Sequence, residues 1–282
     1  MNIPRFFINP KYINTEEGTV FCQDAKLAKQ IRKVLRLGNG DRLDILDSQG
    51  YIYHCILQIS PKQSRDCFQA IIEKQEKLPV EKKPQLIVAL PLIKIHRFEW
   101  ALEKLTELGV DKIVPIALHR SIVKLPPNNH ANNKNDNDSN NAEHHSKFLR
   151  WQKIIQEASE QCERPTPPHL VAPLSFKDWL ENDLALDLGE ANTSLRIICA
   201  ERQDVQPLEL LLCNQTYMPS TCAIALGAEG GFTEEEFKLA LRHQFTPVSL
   251  GTRILRTETA AIYTLSIVNA LLRLIQKTPS AK

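Results

Sequence analysis

The feature that most constrains the fold is the stretch from residue 222 to residue 268, where two short strand-like runs each end at a glycine and lead into a helix-like run. Residues 222–226 and 246–250 are short and rich in strand-favouring side chains, whereas 233–244 and 257–276 have helical spacing. Strands that alternate with helices indicate a parallel α/β sheet. Such sheets bind ligands at the carboxyl ends of their strands, so the sequence predicts a ligand site at the two glycine loops.

The glycines themselves support this interpretation. Gly227, Gly230 and Gly231 follow the first strand, and Gly251 follows the second. Because glycine has no Cβ atom, the backbone N–H and C=O groups of these loops are open to a ligand. A single loop of this kind more often makes only a tight turn. Two such loops close together favour a binding site.

Two arginines follow the second loop. Arg253 and Arg256 stand between Gly251 and a helix start marked by Thr257, so two cations and a helix N-terminus are expected beside the pocket. A pocket made of backbone and flanked by arginines suits a cofactor together with an anionic partner.

Two segments resemble the signature sequences of the RsmE family: LGAEGGFTEEE at 226–236 and LGTRILRTETA at 250–260. Members of this family are the 16S rRNA uracil-N3 methyltransferases of the SPOUT superfamily and use S-adenosylmethionine. The resemblance extends to RFF at 5–7, KLTELGVDKIVPI at 104–116, RS at 120–121 and WQKIIQEASEQCERPTPP at 151–168. Ala228 departs from the family, which usually has proline there; the change makes the loop less rigid without removing a hydrogen-bond donor.

The resemblance implies an α/β protein with two domains. A PUA-like RNA-binding β-barrel would occupy residues 1–77, and a SPOUT methyltransferase domain with a parallel sheet and a trefoil knot would occupy residues 84–282. The cofactor would be S-adenosylmethionine, and the partner would be 16S rRNA within the small ribosomal subunit. The resemblance also implies a homodimer. The residues expected to bind the cofactor are Leu90, Gly227, Ala228, Glu229, Gly230, Gly231, Leu250, Gly251, Ile254, Leu255 and Arg256.

The chemistry of the acceptor suggests which side chains act on it. Loss of the proton from uracil N3 spreads negative charge over the flanking carbonyl oxygens, and a guanidinium group would stabilise that charge. We nominate Arg256 as the catalytic residue, with Arg253 and Glu258 as helpers. Glu229 is either the general base or a loop anchor, and the sequence does not distinguish the two. No cluster of metal ligands is present, so no metal is expected.

The N-terminal part has a β-rich pattern. Residues 42–47 and 51–59 predict a hairpin around 48–50, and residues 68–73 predict a further strand. Asp24 predicts the start of a basic helix. The residues expected to contact RNA phosphates are Arg5, Lys26, Lys29, Lys33 and Arg36. A solvated basic face is an equally good interpretation of that helix.

The amino-acid composition argues against several classes of protein. Seven cysteines at irregular spacing, without a CxxC pair, argue against a disulfide framework and a zinc site, and indicate reduced thiols in a cytoplasmic protein. The start has no apolar leader and no run of about twenty apolar residues exists, so secretion and membrane insertion are not expected. Residues 126–146 are dominated by Asn, Asp and His and predict a disordered insert.

Other functions remain open at this stage. The chain lacks the GxGxxG, GxxxxGK[ST] and GxSxG motifs of dinucleotide, phosphate-loop and serine-hydrolase sites. A ribose 2′-O-methyltransferase of the SPOUT superfamily would use the same loops, and a non-catalytic RNA-binding ribosome-assembly protein could have the same two domains. The last helix, 257–276, has little polar face, which predicts burial on most sides and supports the homodimer.

Overall fold

The computed structural model describes residues 3–59, 64, 66–78, 83–123, 138–183, 194–200, 205–215 and 217–277. The chain forms two compact units. The first comprises Met1–Glu81 and Ser159–Pro167, and the second comprises Lys82–Ala158 and Pro168–Lys282.

The first unit contains a six-stranded sheet in the order β1-β4-β5-β6-β3-β2. The strands are β1 (Arg5–Phe7), β2 (Ile13–Asn14), β3 (Thr19–Cys22), β4 (Arg42–Leu46), β5 (Tyr51–Gln58) and β6 (Phe68–Lys77). Strands β1 and β4 are parallel, and the other neighbours are antiparallel. The predicted hairpin is confirmed, because β4 and β5 pair directly across a turn in which Ser48 and Gly50 have positive φ. Closure of this sheet into a barrel remains a prediction.

A short helix packs against this sheet. Helix α1 (Ala25–Lys29) begins where the Asp24 side chain accepts hydrogen bonds from two backbone N–H groups, as predicted, and a π-helical turn (Gln30–Val34) continues it. Ala28 and Ile31 are fully buried and join the core of the unit. Lys26, Lys29 and Lys33 of this segment are exposed, whereas Arg32 is partly buried and donates to the Cys67 carbonyl at 2.9 Å.

A later segment of the chain returns to the first unit. In this segment, Ser159–Pro167, the Glu160 carboxylate accepts a hydrogen bond from the Phe7 N–H at 2.9 Å. Glu163 forms an ion pair with Arg5, with 3.3 Å between Oε2 and Nη1. The predicted division into 1–77 and 84–282 did not include this return.

The second unit is built on a seven-stranded parallel sheet. Six strands run in the order β10-β8-β7-β12-β11-β13, and β9 pairs with β8 outside that path. The strands are β7 (Gln85–Pro91), β8 (Lys112–Ala117), β9 (His169–Leu170), β10 (Leu174–Ser175), β11 (Ser194–Cys199), β12 (Thr221–Ala225) and β13 (Thr246–Val248).

Helices cover both faces of this sheet, as parallel sheets require. They are α2 (Ile95–Glu107), α3 (Asp138–Gln161), α4 (Phe176–Asp178), α5 (Leu208–Cys213), α6 (Glu234–Arg242) and α7 (Thr257–Lys277), with a π-helical turn at Trp179–Asp183. Side chains of α2, α3, α5 and α7 form one core cluster with the sheet, and those of α4 and α6 contribute to the other. The predicted α/β fold class is confirmed, whereas the trefoil knot remains a prediction.

Helix α3 corrects one expectation. It begins at Asp138, so residues 138–146 are helical and not disordered as predicted. An ion pair between Glu143 and Lys147, four residues apart and separated by 2.6 Å, stabilises this first part of the helix against the low helix propensity of asparagine. The rest of the predicted insert, residues 126–137, lies outside the described residues.

Helix α7 corrects a second expectation, burial on most sides. Ala261, Leu265, Val268 and Leu272 are buried on one face, but on the opposite side Tyr263 is 36% and Leu274 is 60% exposed. The helical period places apolar side chains on both faces, and the buried ones lie on one of them. On the other side, the Tyr263 hydroxyl donates to the Glu209 carboxylate at 2.7 Å. Within the described residues, Thr257–Ile275 is also long and apolar enough to cross a membrane by length and composition. That is weak evidence for a span, since core helices can share such a composition.

Candidate active site

A cavity of about 320 Å³ lies at the carboxyl edge of the parallel sheet, where β11, β12 and β13 end. This is the edge at which open α/β sheets bind ligands. Its wall is formed by Cys199, Ala200, Leu226, Gly227, Ser249, Leu250, Gly251, Thr252, Arg253, Ile254, Leu255, Thr257 and Ala260.

The wall combines apolar side chains with open backbone. Leu226, Leu250 and Leu255 supply apolar surface, while Gly227 and Gly251 line the cavity without a side chain. The volume lies within the range of about 300–1,000 Å³ that is common for small-molecule sites. Such a site suits a ligand with a flat aromatic part and several hydrogen-bonding groups.

Hydrogen bonds fix the first glycine loop to the start of α7 and the second to the start of α5. The Thr257 hydroxyl, at the start of α7, donates to the Gly227 carbonyl at 2.9 Å. The Ser249 hydroxyl accepts from the Gly251 N–H at 3.2 Å, and the Ser249 carbonyl accepts from the Leu208 N–H at 3.0 Å. The cavity is therefore held in shape by side-chain bonds as well as by the strands.

The structure brings five of the eleven residues predicted to bind the cofactor into the wall of the cavity. These are Gly227, Leu250, Gly251, Ile254 and Leu255. The remaining six, Leu90, Ala228, Glu229, Gly230, Gly231 and Arg256, lie outside it. Leu90 and Ala228 are buried in the two core clusters, and Glu229 and Gly230 are exposed in the loop.

The residues nominated for chemistry occupy different environments. Arg253 lies in the wall, and Arg256 is an exposed residue that immediately precedes α7. Glu258 is buried, at 6% exposure, and forms an ion pair with Arg97 in which Nε and Oε1 are 3.7 Å apart. Glu229 is exposed, so its environment does not resemble that of a buried general base. Arg97, on α2, was not identified from the sequence.

Sequence reasoning missed the wall residues contributed by β11. Cys199 is the last residue of that strand and Ala200 follows it, and β11 lies between β12 and β13 in the sheet. No glycine follows the strand, and the order of strands could not be derived from the sequence. Near the amino end of β12, burial raises the pKa of the Cys222 thiol to about 12, so this thiol is protonated at neutral pH.

The residues predicted to bind RNA also divide into two groups. Lys26, Lys29, Lys33 and Arg36 are exposed on and just after α1. Arg5 is partly buried and forms ion pairs with Asp44 at 3.4 Å and with Glu163 at 3.3 Å. Among the described residues, no group of three or more His, Cys, Asp or Glu side chains is placed to hold a metal ion.

Comparison with known proteins identifies relatives along most of the chain. Residues 80–269 match the family model of the RNA methyltransferase domain, and this segment contains every residue of the cavity wall. The ribosomal RNA small subunit methyltransferase E of Synechocystis sp. is 34% identical over 257 residues, which cover 91% of this chain and 74% of the relative. The protein of the same name from Bacillus subtilis is 29% identical, with coverage of 94% and 95%.

Solved structures show the same architecture. A putative methyltransferase from Legionella pneumophila, determined with the bound cofactor S-adenosylmethionine, has a TM-score of 0.77 and 25% identity, with coverage of 96% of this chain and 98% of that one. The ribosomal RNA small subunit methyltransferase E of Neisseria gonorrhoeae has a TM-score of 0.76 and 23% identity, with the same coverage. At this identity, the similarity to the Neisseria gonorrhoeae structure shows a shared fold alone.

Proposed function

Because this chain belongs to the ribosomal RNA small subunit methyltransferase E family, we propose that it transfers a methyl group from S-adenosylmethionine to N3 of a uridine in 16S rRNA. The observation that carries the proposal is the cavity at the carboxyl edge of the sheet. Its wall lies within the segment that matches the RNA methyltransferase domain.

The residues of the cavity fit S-adenosylmethionine. The apolar side chains of Leu226, Leu250 and Leu255 provide a surface for an adenine ring, and the lack of side chains at Gly227 and Gly251 lets the cofactor come close to the backbone. When bound, the cofactor supplies an already activated methyl group. The task of the protein is then to hold donor and acceptor in line and to accommodate the loss of one proton.

We assign the acceptor side of the site to the two arginines around the second glycine loop. Arg256 would donate hydrogen bonds to a carbonyl oxygen of the uracil ring as N3 loses its proton, and this stabilises the developing charge. Arg253, which contributes to the cavity wall, would assist it. Exposure of Arg256 is consistent with a group that must meet an incoming nucleotide.

The two carboxylates have narrower roles in this proposal. Glu258 is buried against Arg97, so it would fix the start of α7 rather than exchange a proton with the substrate. Glu229 is an exposed loop residue, and its part as general base or loop anchor stays open.

We further propose that the first unit docks the small-subunit rRNA, with residues 1–77 as its RNA-binding part and residues 84–282 as the methyltransferase part. Lys26, Lys29, Lys33 and Arg36 are exposed, which supports phosphate contacts without base readout. Arg5 already has two acidic neighbours, so its contribution should be smaller.

A homodimer completes the proposal. The exposed side of α7 includes Tyr263, Ala270 and Leu274, and we propose that a second copy covers these side chains. We place the enzyme in the cytoplasm, where its rRNA substrate would be. All seven cysteines lie within the described residues, where none forms a disulfide.

The proposed function is tested by incubating the purified protein with S-adenosylmethionine carrying a labelled methyl group and with rRNA of each subunit, free or assembled. We expect incorporation of label into small-subunit rRNA only. Binding of RNA without incorporation of label into any substrate would favour a non-catalytic assembly protein.

A further inference from the structure

A tight turn follows strand β8 at the carboxyl edge of the parallel sheet. The Ser121 N–H donates to the Leu118 carbonyl at 3.0 Å, and the Leu118 N–H donates to the Ser121 hydroxyl at 3.1 Å. Ser121 is buried and its two hydrogen bonds to Leu118 close the turn, whereas the preceding residue, Arg120, is exposed. The turn therefore presents the arginine at the edge of the sheet where the glycine loops lie.

Arg120 contacts the first glycine loop, defined here as residues 227–233. Its Nη1 donates to the carbonyl of Gly230 at 3.0 Å and to the carbonyl of Phe232 at 3.1 Å. A Cβ atom added at Gly230 would lie 2.9 Å from the Cβ of Arg120, so the arginine can lie this close only because residue 230 is glycine. Arg120 therefore contacts the loop in two ways: its guanidinium group donates two hydrogen bonds, and its Cβ packs closely against Gly230.

A second bond joins the same two segments. The Glu236 carboxylate accepts from the His119 N–H at 2.7 Å through one oxygen and from the Thr233 N–H at 2.8 Å through the other. The second of these bonds belongs to the capping box at the start of α6. The loop is thus fixed to the β8 turn on both sides of Phe232.

The other end of the glycine loop forms part of the cavity. Gly227 lies in the wall, and its carbonyl accepts the hydrogen bond from Thr257. Between the two ends, the Gly231 N–H donates to the Ala228 carbonyl at 2.8 Å and closes a turn. A displacement of Gly230 would therefore be transmitted to Gly227 through only two residues of tightly turned backbone.

We propose that Arg120 is a positioning residue for methyl transfer: it holds the glycine loop so that Gly227 has the backbone position required for binding S-adenosylmethionine. Arg120 does not line the cavity and acts through the loop. The inference rests on the proposed function, since it assumes that the cavity binds this cofactor.

The test is calorimetry of S-adenosylmethionine binding at a temperature where every variant is folded. We expect Arg120→Ala to weaken binding by at least about tenfold, because hydrogen bonds from a charged group to two carbonyls are lost. Arg120→Lys should recover part of the affinity, since its ammonium group can still donate to one carbonyl. Arg242→Ala is the matched control. Arg242 is an exposed arginine at the end of α6, outside the cavity wall, and its loss should not change the dissociation constant.

A second variant approaches the same contact from the loop. Gly230 does not have positive φ, so Gly230→Ala adds little backbone strain and mainly pushes Arg120 away. We expect Gly230→Ala to weaken cofactor binding as well. If Arg120→Ala fails to fold, this variant alone tests whether the contact between Arg120 and the loop affects cofactor affinity. RNA affinity measured without cofactor should be unchanged in both variants.

A purely structural role for Arg120 would give a lower unfolding temperature with an unchanged dissociation constant for S-adenosylmethionine, and that result would overturn the inference. Failure of the wild-type protein to bind S-adenosylmethionine would instead overturn the proposed function. The two failures are therefore distinguishable in one set of titrations.

Discussion

Replacement of Gly251 by alanine tests whether the backbone geometry of the cavity wall matters for cofactor binding, because the substitution changes that geometry without a steric clash. Gly251 has a φ of 104°, which side-chain-bearing residues rarely adopt, and a Cβ atom there would have no heavy atom within 4 Å. The substitution therefore introduces backbone strain without a clash. Strain of this kind costs about 1–3 kcal/mol.

The expected loss of affinity follows from how the loop relieves that strain. Gly251 lies in the cavity wall, so a loop that relaxes by changing φ moves backbone groups that would contact S-adenosylmethionine. If the bound state must restore the original backbone, the whole strain appears in the binding free energy. A cost of about 1–3 kcal/mol then raises the dissociation constant about 5- to 150-fold.

The matched control is Gly50→Ala. Gly50 has a φ of 92° and equally open space, but it lies in the hairpin of the first unit. Gly50→Ala should lower the unfolding temperature, whereas Gly251→Ala should lower it less, because its free loop relieves the strain. Calorimetry should show weaker cofactor binding for Gly251→Ala only. Unchanged affinity in Gly251→Ala, or an equal loss in both variants, would refute the assignment of this loop to the cofactor.

Three further predictions concern the acceptor, the RNA and the assembly. Arg256→Ala should lower turnover at least ~10²-fold with little change in RNA affinity, since the charge it stabilises exists only in the transition state; near-normal turnover at saturating RNA contradicts this. The triple change Lys29→Glu, Lys33→Glu and Arg36→Glu should weaken RNA binding and flatten its salt dependence by about one log–log unit per lost phosphate contact, without affecting cofactor binding. An unchanged salt slope would show that the basic side chains of this helix face solvent and do not contact RNA phosphates. Leu274→Glu should shift the mass measured by light scattering from a dimer to a monomer, because a carboxylate would be buried in an apolar contact; a monomeric wild-type protein contradicts the dimer.

The local order of elements in the second unit could be predicted because strands, glycines and helix caps leave short-range patterns. Thr233 caps α6 with Glu236 in a capping box, and α7 begins at Thr257, the residue that marked the helix start in the sequence. The bounds of β12 and β13 differ from the predicted ones by one or two residues. These features depend on residues a few positions apart.

Features that depend on distant residues could not be predicted. Glu258 seemed available for chemistry, but Arg97, 161 positions earlier, pairs with it. Arg120 contacts a carbonyl 110 residues away, and the sequence gives no register for such a bond. Helix α7 has an apolar pattern on both faces, so the pattern alone could not show which face the chain covers.

The most direct test of the account is identification of the modified nucleoside. Small-subunit rRNA methylated by the purified enzyme would be digested to nucleosides and resolved by liquid chromatography with mass spectrometry against standards of 3-methyluridine and 2′-O-methyluridine. We predict 3-methyluridine, formed by the wild-type protein and strongly reduced with Arg256→Ala. A methyl group on the ribose would contradict uracil N3 as the acceptor and would assign the cavity to a ribose methyltransferase.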